Sequence, residues 1–341
     1  MLLSDYNYIL PKKNIAQFPT KIRGTAKLLV LDRASGKTTD NNYGDILNYL
    51  KSGDVLVLND TKVIKARLFA KDTSGVSHEL VLLEKHAGSE DNYHHDVLYR
   101  GKLTLNETLY INNEEMNVVA IKDGGIATIK ANLDVDQLAE QAGNVPLPPY
   151  MKRDASPDDV VRYQTEFARH KGSVAAPTAS LNMTKELIDN LEAQGVIVCY
   201  LTLHVGLGTF LPIRSDKIEN HTMHSEWYSI PQPTIRAIQQ AKSSGNRITA
   251  VGTTVARTLE YCAEDLLKAD QPLSGEADIF IYPGYQFRLV DQLLTNFHAP
   301  KSTVLMLVAA FAGWPNLLHA YTYALQHNYM FLSYGDSMLI H

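Results

Sequence analysis

Hydrophobic positions change texture three times along this chain. Leu28–Asp32 and Asp54–Asn59 are short runs of leucine and valine between polar segments, with Gly53 marking a turn before the second. Continuous apolar runs of that length predict buried strands. From about residue 67 to 145 the pieces become short and β-leaning: Glu79–Glu84, Val97–Arg100, Thr108–Ile111, Val118–Ile121 and Ile126–Ala131, separated by Gly, Asn, Asp and Ser. This spacing predicts a small all-β, barrel-like domain inserted into the chain. The stiff stretch Val145-Pro-Leu-Pro-Pro-Tyr150 then marks a domain boundary.

Beyond it, helical patterns over 184–194, 233–244, 255–269 and 302–326 alternate with strand patterns over 196–204, 247–252 and 277–282. Ser156 ahead of Pro157, Asp158 and Asp159 is a helix start, with a capping hydroxyl, proline in the first turn and acids at the positive end of the dipole. Such alternation predicts an α/β fold. Residues 1–66 and 146–341 together form a mixed α/β main domain, and 67–145 form the inserted β-barrel-like one.

The run over 196–204 stops at His204-Val205-Gly206-Leu207-Gly208, and His221, His224 and Glu226 follow closely. A strand that ends in a histidine and two turn-permitting glycines is typical of a cleft edge, and histidine titrates near neutral pH. A hydrogen-bonded core histidine with two turn glycines explains the same residues equally well. Val251-Gly252-Thr253-Thr254 leads from a strand into a helix, placing free backbone N–H groups where an anion or carboxylate can bind; ordinary capping is the other reading. Asp278 to Tyr282 runs into Pro283-Gly284, a further strand-to-turn edge. Thr295-Asn-Phe-His298 and Pro300-Lys301-Ser-Thr303 precede the apolar run Val304–Ala312, as its cap or as a binding edge.

The 341 residues suit about two domains; 45% hydrophobic, 20% charged and a net charge of -5 are ordinary for a globular protein. Cys199 and Cys262 both sit in apolar stretches, which suggests buried free thiols in a reducing cytosol. No basic-then-apolar leader pattern is present, and the longest apolar run has nine residues against the roughly 20 of a membrane helix. A cytoplasmic location without membrane association is expected. There is no phosphate loop, dinucleotide fingerprint, nucleophile elbow or Cys-x-x-Cys, and His221-x-x-His224 has no third ligand nearby, so no metal site is expected. Charge is uneven: residues 1–71 hold twelve Lys/Arg against six Asp/Glu, a net +6, and the remainder carries -11. The N-terminal cations could track a phosphate backbone or simply be solvated.

Read in order, several strings resemble one family, the S-adenosylmethionine:tRNA ribosyltransferase-isomerases of queuosine biosynthesis. They are Gly53-Asp-Val-Leu-Val-Leu-Asn59-Asp60-Thr61, Pro146–Tyr150, Tyr163-Gln-Thr165, Gly172–Ala179, Leu203–Phe210, Met223-His-Ser-Glu226, Val251–Thr254, Ile279–Gly284, Asn296-Phe-His298, Pro300–Thr303 and Ser333-Tyr-Gly-Asp336. They span the whole chain, densest from 146 to 336 and thin within 67–145. The resemblance implies transfer and isomerisation of the ribosyl part of S-adenosylmethionine onto the 7-aminomethyl-7-deazaguanine wobble base of a tRNA with a GUN anticodon. Epoxyqueuosine-tRNA, adenine and methionine are the implied products, made by a monomer that needs no cofactor or metal.

That chemistry requires a base for the proton beside the sulfonium, an acid for departing adenine, and donors for the ribose and carboxylate. It suggests His204 or His224 for proton transfer, oriented by Glu226 or Asp278. Gly252, Thr253 and Thr254 would take the carboxylate, with Gly206, Gly208, His298, Lys301 and Asp336 completing substrate binding. Asn59, Asp60 and Arg67, at the basic N-terminal edge, could face the tRNA. The acidic remainder would suit a cationic sulfonium. The chain departs from the family pattern at Asn182, where a histidine is usual, at Lys62 and Ala26-Lys27, and at Met330. Lysine and methionine do not reproduce arginine's bidentate contacts. A binding paralogue without catalysis is therefore the alternative reading.

Overall fold

A parallel sheet is stable only when both of its faces are covered, and the main domain is built around one. The computed structural model describes residues 1–84, 91–206, 208, 213 and 215–341. Strands β1 (Lys27–Leu31), β2 (Thr38–Asn42) and β3 (Val55–Asn59) open the chain, followed by the short β4 (Thr61–Val63). The barrel strands are β5 (Arg67–Asp72), β6 (Ser77–Leu82), β7 (His94–Arg100), β8 (Thr108–Ile111), β9 (Glu114–Lys122) and β10 (Ile126–Ala131), with helix α1 (Val135–Ala142) after them. Next come α2 (Pro157–Arg162), β11 (His170–Ser173), α3 (Lys185–Ala193), β12 (Ile197–Leu203), β13 (Glu226–Ile230), α4 (Gln232–Ser244) and β14 (Ile248–Val251). The chain finishes through α5 (Thr253–Tyr261), α6 (Ala263–Leu266), β15 (Leu273–Ala277), β16 (Gln292–Asn296), α7 (Thr303–Ala312), α8 (Trp314–Gln326) and β17 (Ser337–Ile340).

Nine strands form one mixed sheet in the order β15-β13-β12-β3-β14-β16-β17-β1-β2. Its centre, β12-β3-β14-β16, is parallel. Every residue of β3, β14 and β16 is buried, and alternate positions supply two different cores. Val55, Val57, Leu201, Ile248, Ala250 and Leu293 face α4, α5, α7 and α8. Leu56, Leu58, Val251 and Leu294 face α3 and the short turn over Tyr43–Asn48. Cys199 and Cys262 are free, buried thiols, and burial raises their pKa values to about 12 and about 11.

The insert is a closed six-stranded barrel, β10-β7-β6-β5-β8-β9. Its inward positions, among them Leu68, Leu80, Leu82, Val97, Leu109, Met116, Val118 and Ile129, make a separate core. The chain enters and leaves it side by side, because Arg67 and Asn144 exchange both backbone hydrogen bonds. The proline-rich crossing then packs against the main domain through Val145, Leu147, Met151, Tyr163 and Tyr334.

Three expected elements differ. The 302–326 helix breaks at Gly313, whose φ of 78° no helix interior allows, and α7 and α8 diverge by 111°. The 255–269 helix begins earlier, at Thr253, and breaks at Cys262. The strand expected over 277–282 is not there: β15 lies before it, over Leu273–Ala277, and its ladder with β13 stops at the Ala277–Glu226 pair. The sheet also contains β2, β13, β16 and β17, which the pattern did not announce: β2 is a polar edge strand, Thr-Thr-Asp-Asn-Asn, and the other three are short. Among the described residues, no single helix is long and apolar enough to cross a membrane.

Asp159 pins the crossing to α2 and to the C-terminal segment. Its carboxylate accepts from Arg153 at 2.6 and 2.8 Å, from the Tyr334 hydroxyl at 2.7 Å and from the Ser156 amide at 2.7 Å. Burial alone would raise its pKa, but these donors hold it well below the usual carboxylate range. The stability it contributes is present above pH ~4, the unfolded value, and is lost as pH falls toward the folded one. Asp159→Asn is therefore expected to cost about 3–5 kcal/mol in urea unfolding at pH 7, with the gap to the parent narrowing at pH 3. A gap independent of pH would show that the charge contributes nothing.

Candidate active site

The carboxyl ends of β3, β12, β14 and β16 stop along one edge of the sheet, at Asn59, Leu203, Val251 and Asn296. Crevices outside such an edge are where open α/β sheets bind ligands. A cavity of about 620 Å³ lies there, walled by Ala175–Ala179 on one side and by His298–Ser302 on the other, with Gly252, Thr253 and Thr254 between them. Tyr150 and Ser333 close one end and are hydrogen-bonded to each other. Burial raises the Tyr150 pKa to about 12, which keeps the phenol protonated.

Each polar group on the wall has a reason for its place. Gly252 has φ 95°, a left-handed value that favours glycine, and its amide donates to Leu294 at 2.7 Å. That turn starts α5 with no side-chain cap, so the first-turn amides of the helix have no intrahelical acceptor. Asn296 accepts from Thr178 at 2.8 Å. His298 shares a 2.8 Å hydrogen bond with Thr295 through its Nε2, and burial lowers its pKa to about 3. The imidazole is thus neutral at pH 7. Lys301 is exposed at the rim, with φ 58°.

One turn along α5 from Thr253, Arg257 is buried and forms an ion pair with the buried Glu226 of β13. Glu226 Oε1 also accepts from the Gly206 amide at 2.9 Å. Burial lowers the Arg257 pKa to about 10, against the opposing pull of Asp278. The pair borders a small recess of about 30 Å³, which shares Thr253, Thr254 and Val304 with the cavity wall.

Of the residues singled out in the sequence, Gly252, Thr253, Thr254, His298 and Lys301 meet at the cavity. His204 sits elsewhere, in a separate cleft of about 390 Å³ with Asp60, His170 and Trp227. It stacks on Trp227, shares a 2.8 Å hydrogen bond with Thr61, and comes so close to Gly172 that a Cβ there would lie 2.6 Å from its Nε2. Burial, with His170 nearby, lowers its pKa to about 4. His224 is exposed beside Gly208, and Asp278 is exposed, near enough for its charge to act on Arg257. Leu207, Thr209 and Phe210 lie outside the described residues.

Three others act as clips. Asn59 accepts from the Thr61 and Leu203 amides at 3.1 Å each and donates to the Leu203 carbonyl at 3.0 Å, tying β3 to β12. Asp60 accepts from Thr202 at 2.7 Å. Asp336 accepts from the Lys27 and Met330 amides at 2.8 and 2.7 Å. Arg67 pairs with Glu79 at 2.8 Å in the barrel.

Cations gather instead in a groove of about 600 Å³ bordered by β4, α1 and α2, where Arg23, Lys62, Lys65, Arg162 and Lys171 outnumber Glu140 and Glu166. Lys171 also lines the His204 cleft. Arg162 and Lys171 carried no signal in the sequence, because the fold brings them to the basic N-terminal segment. Asn182 is buried outside the cavity wall and accepts from the Gly24 amide at 3.4 Å.

Comparison with known proteins decides the family. The family described as "Queuosine biosynthesis protein" matches residues 3–340. The chain belongs to it. Over full length on both sides it is 53% identical to the S-adenosylmethionine:tRNA ribosyltransferase-isomerase of Pelodictyon phaeoclathratiforme and 52% identical to that of Chlorobaculum parvum. The crystal structure of S-adenosylmethionine tRNA ribosyltransferase from Thermotoga maritima is 34% identical and covers 99% of this chain and 100% of its own, with a TM-score of 0.57.

In this queuosine-family chain, His204 and His298 reject protons that the unfolded chain accepts near pH 6.5. The stability this contributes is present above pH ~6.5, the unfolded value, and is lost as pH falls from there toward the folded values of about 4 and about 3. In histidine NMR, the signals of His204 and His298 are expected to stay flat from pH 8 to 5.5. A midpoint near 6.5 for either would contradict its burial.

Proposed function

We propose that this protein transfers and isomerises the ribosyl part of S-adenosylmethionine onto the 7-aminomethyl-7-deazaguanine wobble base of tRNAs with GUN anticodons. Adenine and methionine leave, and epoxyqueuosine remains on the tRNA. The protein works as a cytoplasmic monomer without a metal or resident cofactor. The observation that carries this reading is the cavity at the carboxyl edge of the sheet. It has room for a nucleoside, an uncapped helix start for negative charge, and a cationic groove elsewhere on the same molecule for a phosphate backbone.

The reaction begins by removing the proton on the carbon beside the sulfonium and ends with adenine protonated as it departs. Among the described residues, His298 is the histidine on the cavity wall. It is neutral at pH 7 and Thr295 fixes its ring; its lowered pKa makes it a weak base, so the proton it takes is one that the adjacent sulfonium has acidified. Thr178 and Asn296 present hydrogen-bonding groups for ribose hydroxyls. The departure at Asn182 touches Gly24 rather than the wall, so the missing histidine does not disarm the cavity.

The direct test incubates the protein with S-adenosylmethionine and tRNA bearing the aminomethyl base, following adenine and the mass of the wobble nucleoside. Release of adenine with the added ribosyl mass is expected. Binding of both partners with neither product would leave the non-catalytic paralogue. Within an active enzyme, His298→Asn should lower kcat by about 10²–10⁴, and Asn182→His should change it little. Replacing Lys62 and Lys65 by alanine should raise the KM for tRNA about three- to tenfold and flatten its salt dependence, leaving the KM for S-adenosylmethionine unchanged.

A further inference from the structure

Arg257 and Glu226 form a buried ion pair at the edge of a cavity, where hydrophobic residues of the same size would fold at least as well. The surroundings show how the pair could be opened. Arg257 lies one helical turn from Thr253, and both border the recess next to the cavity, as does Glu226 from the opposite strand. The recess and the cavity share Thr253, Thr254 and Val304; at about 30 Å³ the recess has room for about one water, so a ligand's end reaches the pair from the cavity only by parting Arg257 from Glu226.

We propose that Arg257 and Glu226 are the recognition site for the amino-acid end of the donor, taking its α-carboxylate and α-ammonium respectively. This rests on S-adenosylmethionine being that donor. A zwitterion inserted between the two gives each buried charge an opposite partner again, so no charge is left uncompensated. A simple anion would satisfy Arg257 and the uncapped helix start but would strand Glu226. A cation would strand Arg257. The ligand class is therefore an α-amino acid attached to a nucleoside, and the resting ion pair holds the site until that ligand arrives. Gly206, whose amide donates to Glu226, fixes the carboxylate from behind.

Calorimetry with three probes tests this. They are S-adenosylhomocysteine, 5′-methylthioadenosine, which lacks the amino-acid end, and the analogue of S-adenosylhomocysteine that keeps the carboxylate but lacks the ammonium. The wild-type protein should bind S-adenosylhomocysteine at least about tenfold more tightly than either of the others. In the Glu226→Gln/Arg257→Gln protein, which buries no charge at this position, the three affinities should converge. Equal wild-type affinity for the ammonium-free analogue would overturn the pairing, because the helix start alone would then suffice; this measurement needs no variant. A double variant that keeps the full preference for S-adenosylhomocysteine would also overturn it. Failure of the wild type to bind any adenosine compound would overturn the donor itself, and with it the reading on which this site rests.

Discussion

Burial of the central parallel strands on both faces is the constraint on which the rest of the molecule depends. A strand that shows neither face to water must be apolar at every position, and β3, β14 and β16 are buried throughout, with polar side chains confined mainly to their ends. Helices must then cover both sides, and each chain segment must leave the sheet abruptly where the apolar run stops. The polar groups gather at those stopping points. Asn59 ties two strand ends together there, and Gly252 turns a third strand directly into α5. The cavity is where the endings of β12, β14 and β16 leave space between them.

Electrostatics at that edge follows from the same burial. Partial burial lowers the pKa of His298, so its ring is neutral at pH 7, and raises that of Tyr150, so its phenol stays protonated. Arg257 is tolerated inside only with Glu226 beside it. A site made this way has few mobile charges of its own and takes its polarity from amides, hydroxyls and one balanced pair. A sulfonium donor that brings both signs of charge suits such a site better than a plain anion does.

The strands and the barrel could be read from the sequence because their patterns are local. Leu28–Asp32 and Asp54–Asn59 are plain apolar runs, and the short pieces between 67 and 145 repeat at hairpin spacing. What could not be read depends on distant neighbours. β2 is polar because it is an edge, and its strand state comes from pairing with β1. Arg257 resembles any arginine on a helix until β13 places Glu226 against it. His204 and His298 have equally suggestive sequence settings, and only the direction of each side chain separates the cleft beside Trp227 from the cavity. Arg162 and Lys171 join the basic groove from about a hundred residues further along the sequence than Lys62 and Lys65, which no linear charge count can reveal.

A crystal structure of the protein with S-adenosylhomocysteine would show whether the edge between Ala175–Ala179 and His298–Ser302 holds the nucleoside. The adenosine is expected in that cavity, with Thr253 and Thr254 at its flank. Adenosine found instead in the cleft beside His204 and Trp227 would contradict it and move the chemistry to the other side of β12.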